Sequence, residues 1–157
     1  MFSTIQTEDG GDVNIFTPGG GVDVGLTSNL IKKPSGDLGI FAKTTGSISM
    51  FSEDSIEVNL SRIFALNGGD VMLWSSNGDV DAGKGARSAQ SLPPPLVTVN
   101  EKGEIKVIFS PAIDGSGIGG FTQPGVEPGD VFLFAPRGVV DAGEAGIRAG
   151  RDIVIGG

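Results

Sequence analysis

A parallel β-helix, all-β and made of short strands with an inserted β-hairpin, is the architecture to expect from this sequence. A fifteen-residue unit occurs three times: GDVNIFTPGGGVDVG from Gly11, GDVMLWSSNGDVDAG from Gly69 and GDVFLFAPRGVVDAG from Gly129. The second and third copies match at 9 of 15 positions, and the three starting glycines are almost evenly spaced. Apolar residues come in alternating pairs, as on a strand with one buried face, and no segment sustains a helical period. The 27 glycines and 9 prolines punctuate these pairs without making the chain disordered, since its mean hydropathy is positive.

The pairs run along the chain as Val13/Ile15, Val22/Val24, Leu38/Ile40, Ile48/Met50, Ile56/Val58, Val71/Leu73, Val80/Ala82, Val131/Leu133, Val140/Ala142 and Ile153/Ile155. Most are flanked by Gly, Asn, Asp or Ser, which form turns. A meander of antiparallel strands fits this spacing less well than a solenoid, in which tandem copies stack like on like. Three coils of about 19–20 residues between copies would return each side chain over its equivalent, with neighbouring coils about 4.8 Å apart. The inner face then becomes columns of Val, Ile, Leu and Ala.

Residues 84–128 break the rhythm. They hold a Ser/Ala/Gln stretch, Pro93-Pro94-Pro95, and LVTVNEKGEIKVIF. Val97/Val99 and Ile105/Val107 flank Asn100-Glu101-Lys102-Gly103, which is a hairpin signal, while the prolines cannot continue a ladder. The segment reads as an insertion in a single β-helix domain over 1–157, with a Gly/Ser-rich return through Asp114 to Gly120. Packed on the helix, such a hairpin would shield it from edge pairing.

Composition removes several functions. The chain has no His and no Cys, so a Ser-His-Asp triad, a thiol nucleophile, a disulfide framework and a His or thiolate metal site are all absent. Net charge is −8, and no basic run exceeds Lys32-Lys33, which argues against nucleic acid or an anionic membrane as partner. No apolar run approaches the roughly 20 residues of a membrane span, and no signal peptide is visible. The repeat starts almost at once, and the chain closes on Ile153-Val154-Ile155-Gly156-Gly157 without a polar cap. Since solenoids need caps, a piece of a larger fibre is expected.

Three sets of recurring residues invite a functional reading. Asp12, Asp70 and Asp130 follow Gly at strand entries and could form a calcium ladder. That motif needs a strict nine-residue period, however, and the nearest approach is Gly19-Gly20-Gly21-Val22-Asp23, so turn-forming carboxylates are the preferred reading. Asp23, Asp81 and Asp141 sit in V-D-[AV]-G. Asp79 and Asp81 are two apart, as paired acids of a polysaccharide hydrolase or lyase could be, but Val139 replaces Asp79 in the third copy. Few cations are placed to help them, Lys84, Arg87, Arg137, Arg148 and Arg151 among them, so a site would rest on carboxylates and an occasional cation. Phe16, Trp74 and Phe134 share one repeat position. They are expected to pack in the core or at a corner, the alternative being an outward column that binds sugar rings. The sequence assigns no catalytic, cofactor-binding or metal-ligating residue, and the hairpin is the most exposed interaction element.

Over GGDVMLWSSNGDVDAGKGA, SLPPPLVTVNEKGEIKVIF and PGVEPGDVFLFAPRGVVDAGEAGIRAG, the chain resembles the filamentous haemagglutinin exoproteins. More narrowly, it resembles a domain of unknown function near their C-terminal end. The likeness covers nearly the whole chain from Gly10. It implies a right-handed β-helix within a long fibre, secreted to the bacterial cell surface by a two-partner route through an outer-membrane β-barrel. It also implies roles in adhesion, biofilm or contact-dependent competition. The partners implied are the rest of the fibre and a cell-surface glycan or protein, and uncapped ends would let copies stack end to end as a self-assembling filament. The two runner-up functions are that filament subunit and a β-helical carbohydrate-active enzyme. The chain carries neither the secretion domain nor a toxin domain of that family.

Overall fold

The computed structural model describes residues 4–25, 38–84, 96–99, 105–108 and 115–157. Among them are sixteen strands and no helix. Three parallel sheets wrap around one core; each of the first four coils contributes one strand to each sheet in turn, and the fifth contributes to two of them.

The first coil is β1 (Thr4–Thr7), β2 (Val13–Thr17) and β3 (Val22–Asp23); the second is β4 (Gly39–Ala42), β5 (Ile48–Ser52) and β6 (Ile56–Glu57). The third is β7 (Arg62–Leu66), β8 (Val71–Ser75) and β9 (Val80–Asp81). Next come β10 (Leu96–Val99) and β11 (Ile105–Ile108), an antiparallel pair in a sheet of their own. The fourth coil is β12 (Gly117–Phe121), β13 (Val131–Phe134) and β14 (Val140–Asp141), and the fifth holds β15 (Ile147–Arg148) and β16 (Ile153–Gly156). The sheet orders are β1-β4-β7-β12-β15, β2-β5-β8-β13-β16 and β3-β6-β9-β14.

This is the parallel β-helix with an inserted hairpin that the repeat suggested, but its coil count differs. An ordinary coil runs from Ile48 to its partner Val71, or from Val131 to its partner Ile153. Val71 in turn pairs directly with Val131. The stretch between the second and third copies is therefore one coil enlarged by the hairpin, not three coils of ordinary length. Between the first and second copies stands one disguised coil, GSISMFSEDSIEV, in which Ser47 and Glu57 replace the motif aspartates. Residues 84–128, set apart in sequence, contain the hairpin strands and also β12, which lies in the first sheet between β7 and β15. Pro93 to Pro95 and the Asn100–Gly103 turn fall outside the described residues.

Inward side chains stack as like on like. Ile5, Ile40, Ile63, Ile118 and Ile147 form one column, and Val13, Ile48, Val71, Val131 and Ile153 another. A third runs Ile15, Met50, Leu73, Leu133, Ile155. Branched side chains suit this pleated surface, and complete burial of each contributes about 1.5–3 kcal/mol.

The repeat's glycines are set by the approach of neighbouring coils. A Cβ at Gly46 would strike the Gly11 carbonyl, one at Gly69 the Gly46 carbonyl, and one at Gly129 the Gly69 carbonyl. The closing glycines Gly83 and Gly143 add a second demand, with φ of +91° and +55°. Thus G-D-V opens with Gly because a backbone lies where a side chain would go.

Candidate functional site

The recurrent aspartates form inter-coil ladders. At the entry to the second sheet, Asp12 Oδ1 accepts the Ser47 N–H at 2.8 Å, and Ser47 Oγ accepts the Asp70 N–H at 3.1 Å. Asp70 Oδ1 then accepts the Asp130 N–H at 2.8 Å, and Asp130 Oδ1 the Asp152 N–H at 3.0 Å. Each coil's side chain caps the backbone of the coil after it, where turn geometry leaves a donor outside the sheet. A second ladder stands before the third sheet: Ser55 Oγ accepts the Asp79 N–H at 3.0 Å, and Asp79 Oδ1 accepts the Val139 N–H at 2.8 Å. The turn-forming reading of these residues holds, with the addition that the turn served belongs to the next coil. Among the described residues, no group of three or more acids is arranged to hold a metal ion.

Asp130 closes the first ladder with a bidentate ion pair. Arg151 Nε and Nη2 donate to its two oxygens at 2.8 and 2.6 Å. These bonds, with the Asp152 N–H, pull its pKa from 3.8 down to about 2. Because the folded pKa is depressed, the pair's stabilisation is complete above about pH 3.8 and is lost as pH falls towards 2. Arg151→Met is expected to flatten the pH dependence of the unfolding midpoint between pH 4 and 2, leaving its slope above pH 5 unchanged. Urea titrations at stepped pH would show it.

On the outside of the third sheet the register aligns Asp23, Glu57, Asp81 and Asp141 on successive coils. Sequence comparison found three of these acids; Glu57 was hidden because its coil lacks the motif. Asp81 and Asp141 each accept the N–H of the glycine two residues on, Gly83 at 2.7 Å and Gly143 at 2.8 Å. Asp79 and Asp81 thus each engage a different backbone group. The column is a run of like charges spaced about 4.8 Å apart. Glu57→Gln is expected to stabilise the fold by about 0.2–1 kcal/mol at low salt. The gain should vanish near 1 M salt, where screening acts within about 3 Å; denaturant midpoints at two ionic strengths would test this.

The aromatic position behaves differently from the expectation of core or corner packing. Phe16, Phe51, Trp74 and Phe134 are in register on the outer face of the second sheet, because strand alternation sends their neighbours Ile15, Met50, Leu73 and Leu133 inwards. Phe16 is 67% exposed, and Phe51 and Trp74 are each 37% exposed. Phe16 and Phe51 stack at 5.4 Å and 5°, and Trp74 lies 5.6 Å from Phe134 at 41°. Gly156 ends the column, and a Cβ there would press on the Phe134 ring. Beside the rings runs a second outward column, Asn14, Ser49, Met72, Phe132 and Val154. Towards the C-terminal coils the two merge into an apolar face of Met72, Trp74, Phe132, Phe134 and Val154. This face is the candidate binding surface. Phe16 and Phe51 stack face to face and Trp74 meets Phe134 at a tilt, while Phe16 stays mostly exposed; an exposed apolar face of this kind suits contact with another surface.

A second aromatic cluster lies on the outer side of the first sheet and is buried. Phe64 packs edge-on against Phe41 and Phe121 at 6.4 and 4.8 Å. The Arg62 guanidinium lies 5.8 and 5.5 Å from the Phe41 and Phe64 ring centres.

Residues 68–157, more than half of the chain, match a family model described as filamentous haemagglutinin family outer membrane protein. No curated protein and no solved structure matches the chain.

Proposed function

From the premise that the chain belongs to the filamentous haemagglutinin family, we propose that it is a structural and adhesive β-helical module of a secreted, cell-surface exoprotein. In this reading it has no active site. It continues the fibre's solenoid and offers its outer aromatic face to another surface in adhesion, biofilm or contact-dependent competition. Export by a two-partner route and contact with the rest of the same fibre belong to the same proposal.

The observation that carries it is the division of labour among the repeat residues. The carboxylates that most resemble catalytic or metal-binding groups cap the backbone of neighbouring coils or of their own turns. The outward aromatic residues touch one another across coils yet leave Phe16, Phe51 and Trp74 exposed, and an exposed apolar face of this kind marks an interaction site. A Trp74→Ser/Phe132→Ser double variant should keep the strand signal in circular dichroism yet lose most adhesion of the immobilised chain to bacterial or host cells. Undiminished adhesion would remove this face from the proposal. Polysaccharide turnover that disappears in Asp79→Asn would replace the proposal with the enzymatic alternative.

A further inference from the structure

The flanks of the solenoid differ in what they offer a partner. The outer side of the first sheet is already covered, since Phe41, Phe64 and Phe121 are buried there. The outer side of the third sheet carries the acid column Asp23, Glu57, Asp81 and Asp141. The outward positions of the second sheet, Asn14 to Val154 in one column and Phe16 to Gly156 in the other, hold no charged residue. That is notable in a chain with 19 acidic and 11 basic residues. Phe51 and Trp74 are each 37% exposed although coils lie on both sides of them, so the face is open along its length. Its two columns also differ in size. Phe16, Phe51 and Trp74 form a row of rings beside the smaller Asn14, Ser49 and Met72.

We propose, resting on the reading of this face as the binding surface, that its partner is the same face of a second copy. The two solenoids then lie side by side and run in the same direction. A half-turn about an axis parallel to the solenoid sets each ring column over the smaller column of the other copy. Phe51 falls over Ser49 and Trp74 over Met72, with Phe134 over Phe132 on the fourth coil. Both copies repeat at about 4.8 Å, so the match holds from coil to coil. Packed sheets stand about 10 Å apart with interdigitating side chains, and a large column over a small one allows this. Net charge of −8 makes copies repel, and this flank brings them together without opposing acid columns. Asp12, Asp70 and Asp152 lie at its margin, so added salt should promote association by screening them. Five coils about 4.8 Å apart and strands of about 17 Å give roughly 400 Å² on each copy, against about 800 Å² in a stable interface. The pair is therefore weak for this chain alone and strengthens with each further coil of a fibre. The contact is isologous and closes at two. It leaves both ends of the solenoid free to continue.

Sedimentation equilibrium of the full 157-residue chain, carried to about millimolar concentration, should show dimers and no larger species, with more dimer in added salt. Trp74→Ser/Phe132→Ser should lower the association constant about tenfold or more. Ser49→Trp separates a fitted contact from a merely sticky one. It enlarges the apolar face yet fills the slot under Phe51 of the other copy, so it should weaken the dimer. Wild type that stays monomeric in about 1 M salt, or assembly that continues past the dimer, would overturn the proposal. So would a double variant that dimerises like wild type, or stronger dimers in Ser49→Trp. Cell adhesion is the separate readout. A monomeric wild type whose adhesion is lost in Trp74→Ser/Phe132→Ser would remove the second copy as partner and leave the binding face in place. Dimers lost in that variant with adhesion unchanged would uphold the pairing and remove adhesion to cells.

Discussion

Gly69→Ala is expected to destabilise the fold by about 3 kcal/mol or more, at or beyond the top of the range for overpacked sites. The added methyl would meet the Gly46 carbonyl of the preceding coil, a backbone atom that cannot rotate aside. Relief requires the two coils to separate, which would loosen both the β5–β8 ladder and the Ser47–Asp70 bond beside it. Gly19→Ala is the control: nothing lies within 4 Å of a Cβ there. It should fall within about 0.5 kcal/mol of wild type. Denaturant midpoints measure both. A Gly69→Ala midpoint near that of Gly19→Ala would show that the coils do not approach as closely as the glycine column requires.

Leu73→Ala is expected to cost about 2–5 kcal/mol. Leu73 is fully buried between Met50 and Leu133, so a methyl in its place leaves a cavity bounded by coils above and below. With total stabilities of about 5–15 kcal/mol, this is a large part of the whole. Ile155→Ala, in the same column but 55% exposed at its open end, should cost much less. A shallow gradient between the two sites, again read from denaturant midpoints, would contradict a core made of inter-coil columns.

The parts of the fold legible in sequence were those with one wet face. In the second and third sheets buried Val, Ile, Leu and Ala alternate with residues that reach solvent, polar or acidic in the third sheet and often aromatic in the second, and pairs such as Val71/Leu73 and Val80/Ala82 stand out. The first sheet is buried on both sides at β4, β7 and β12. In RIFAL and GIGGF both alternating sets are apolar or glycine apart from Arg62, so the period-two signal vanishes and Ile63 and Ile118 pass unnoticed. Two glycines of β12 stand where side chains lack room: a Cβ at Gly117 would strike the Gly146 carbonyl and one at Gly119 the Phe121 ring. Coil length was misread for a related reason. Spacing between motif copies adds coil and insertion together, and the coil bearing Ser47, Phe51 and Glu57 lacks the aspartates that identify its neighbours.

The candidate site was half legible. Recurrence identified Phe16, Trp74 and Phe134 as one column and the aspartates as architectural. Alternation already set these rings opposite in sense to the inward Ile15, Leu73 and Leu133; the general tendency of large aromatic residues to be buried outweighed it in the expectation of core or corner packing. Met72, Phe132 and Val154 carry no motif at all; only the register brings them beside the rings.

Everything above depends on the second and third copies lying on adjacent coils, with the hairpin looped out between them. Met72→Cys/Phe132→Cys places a cysteine pair at partnered positions on the outer face of β8 and β13, in a chain with no other cysteine. Adjacent coils about 4.8 Å apart predict an intramolecular disulfide in near-quantitative yield, with a native circular dichroism spectrum, by mass spectrometry of the oxidised monomer. If three coils separated the copies, these positions would stand about 14 Å apart. A folded monomer with two free thiols would then contradict the account.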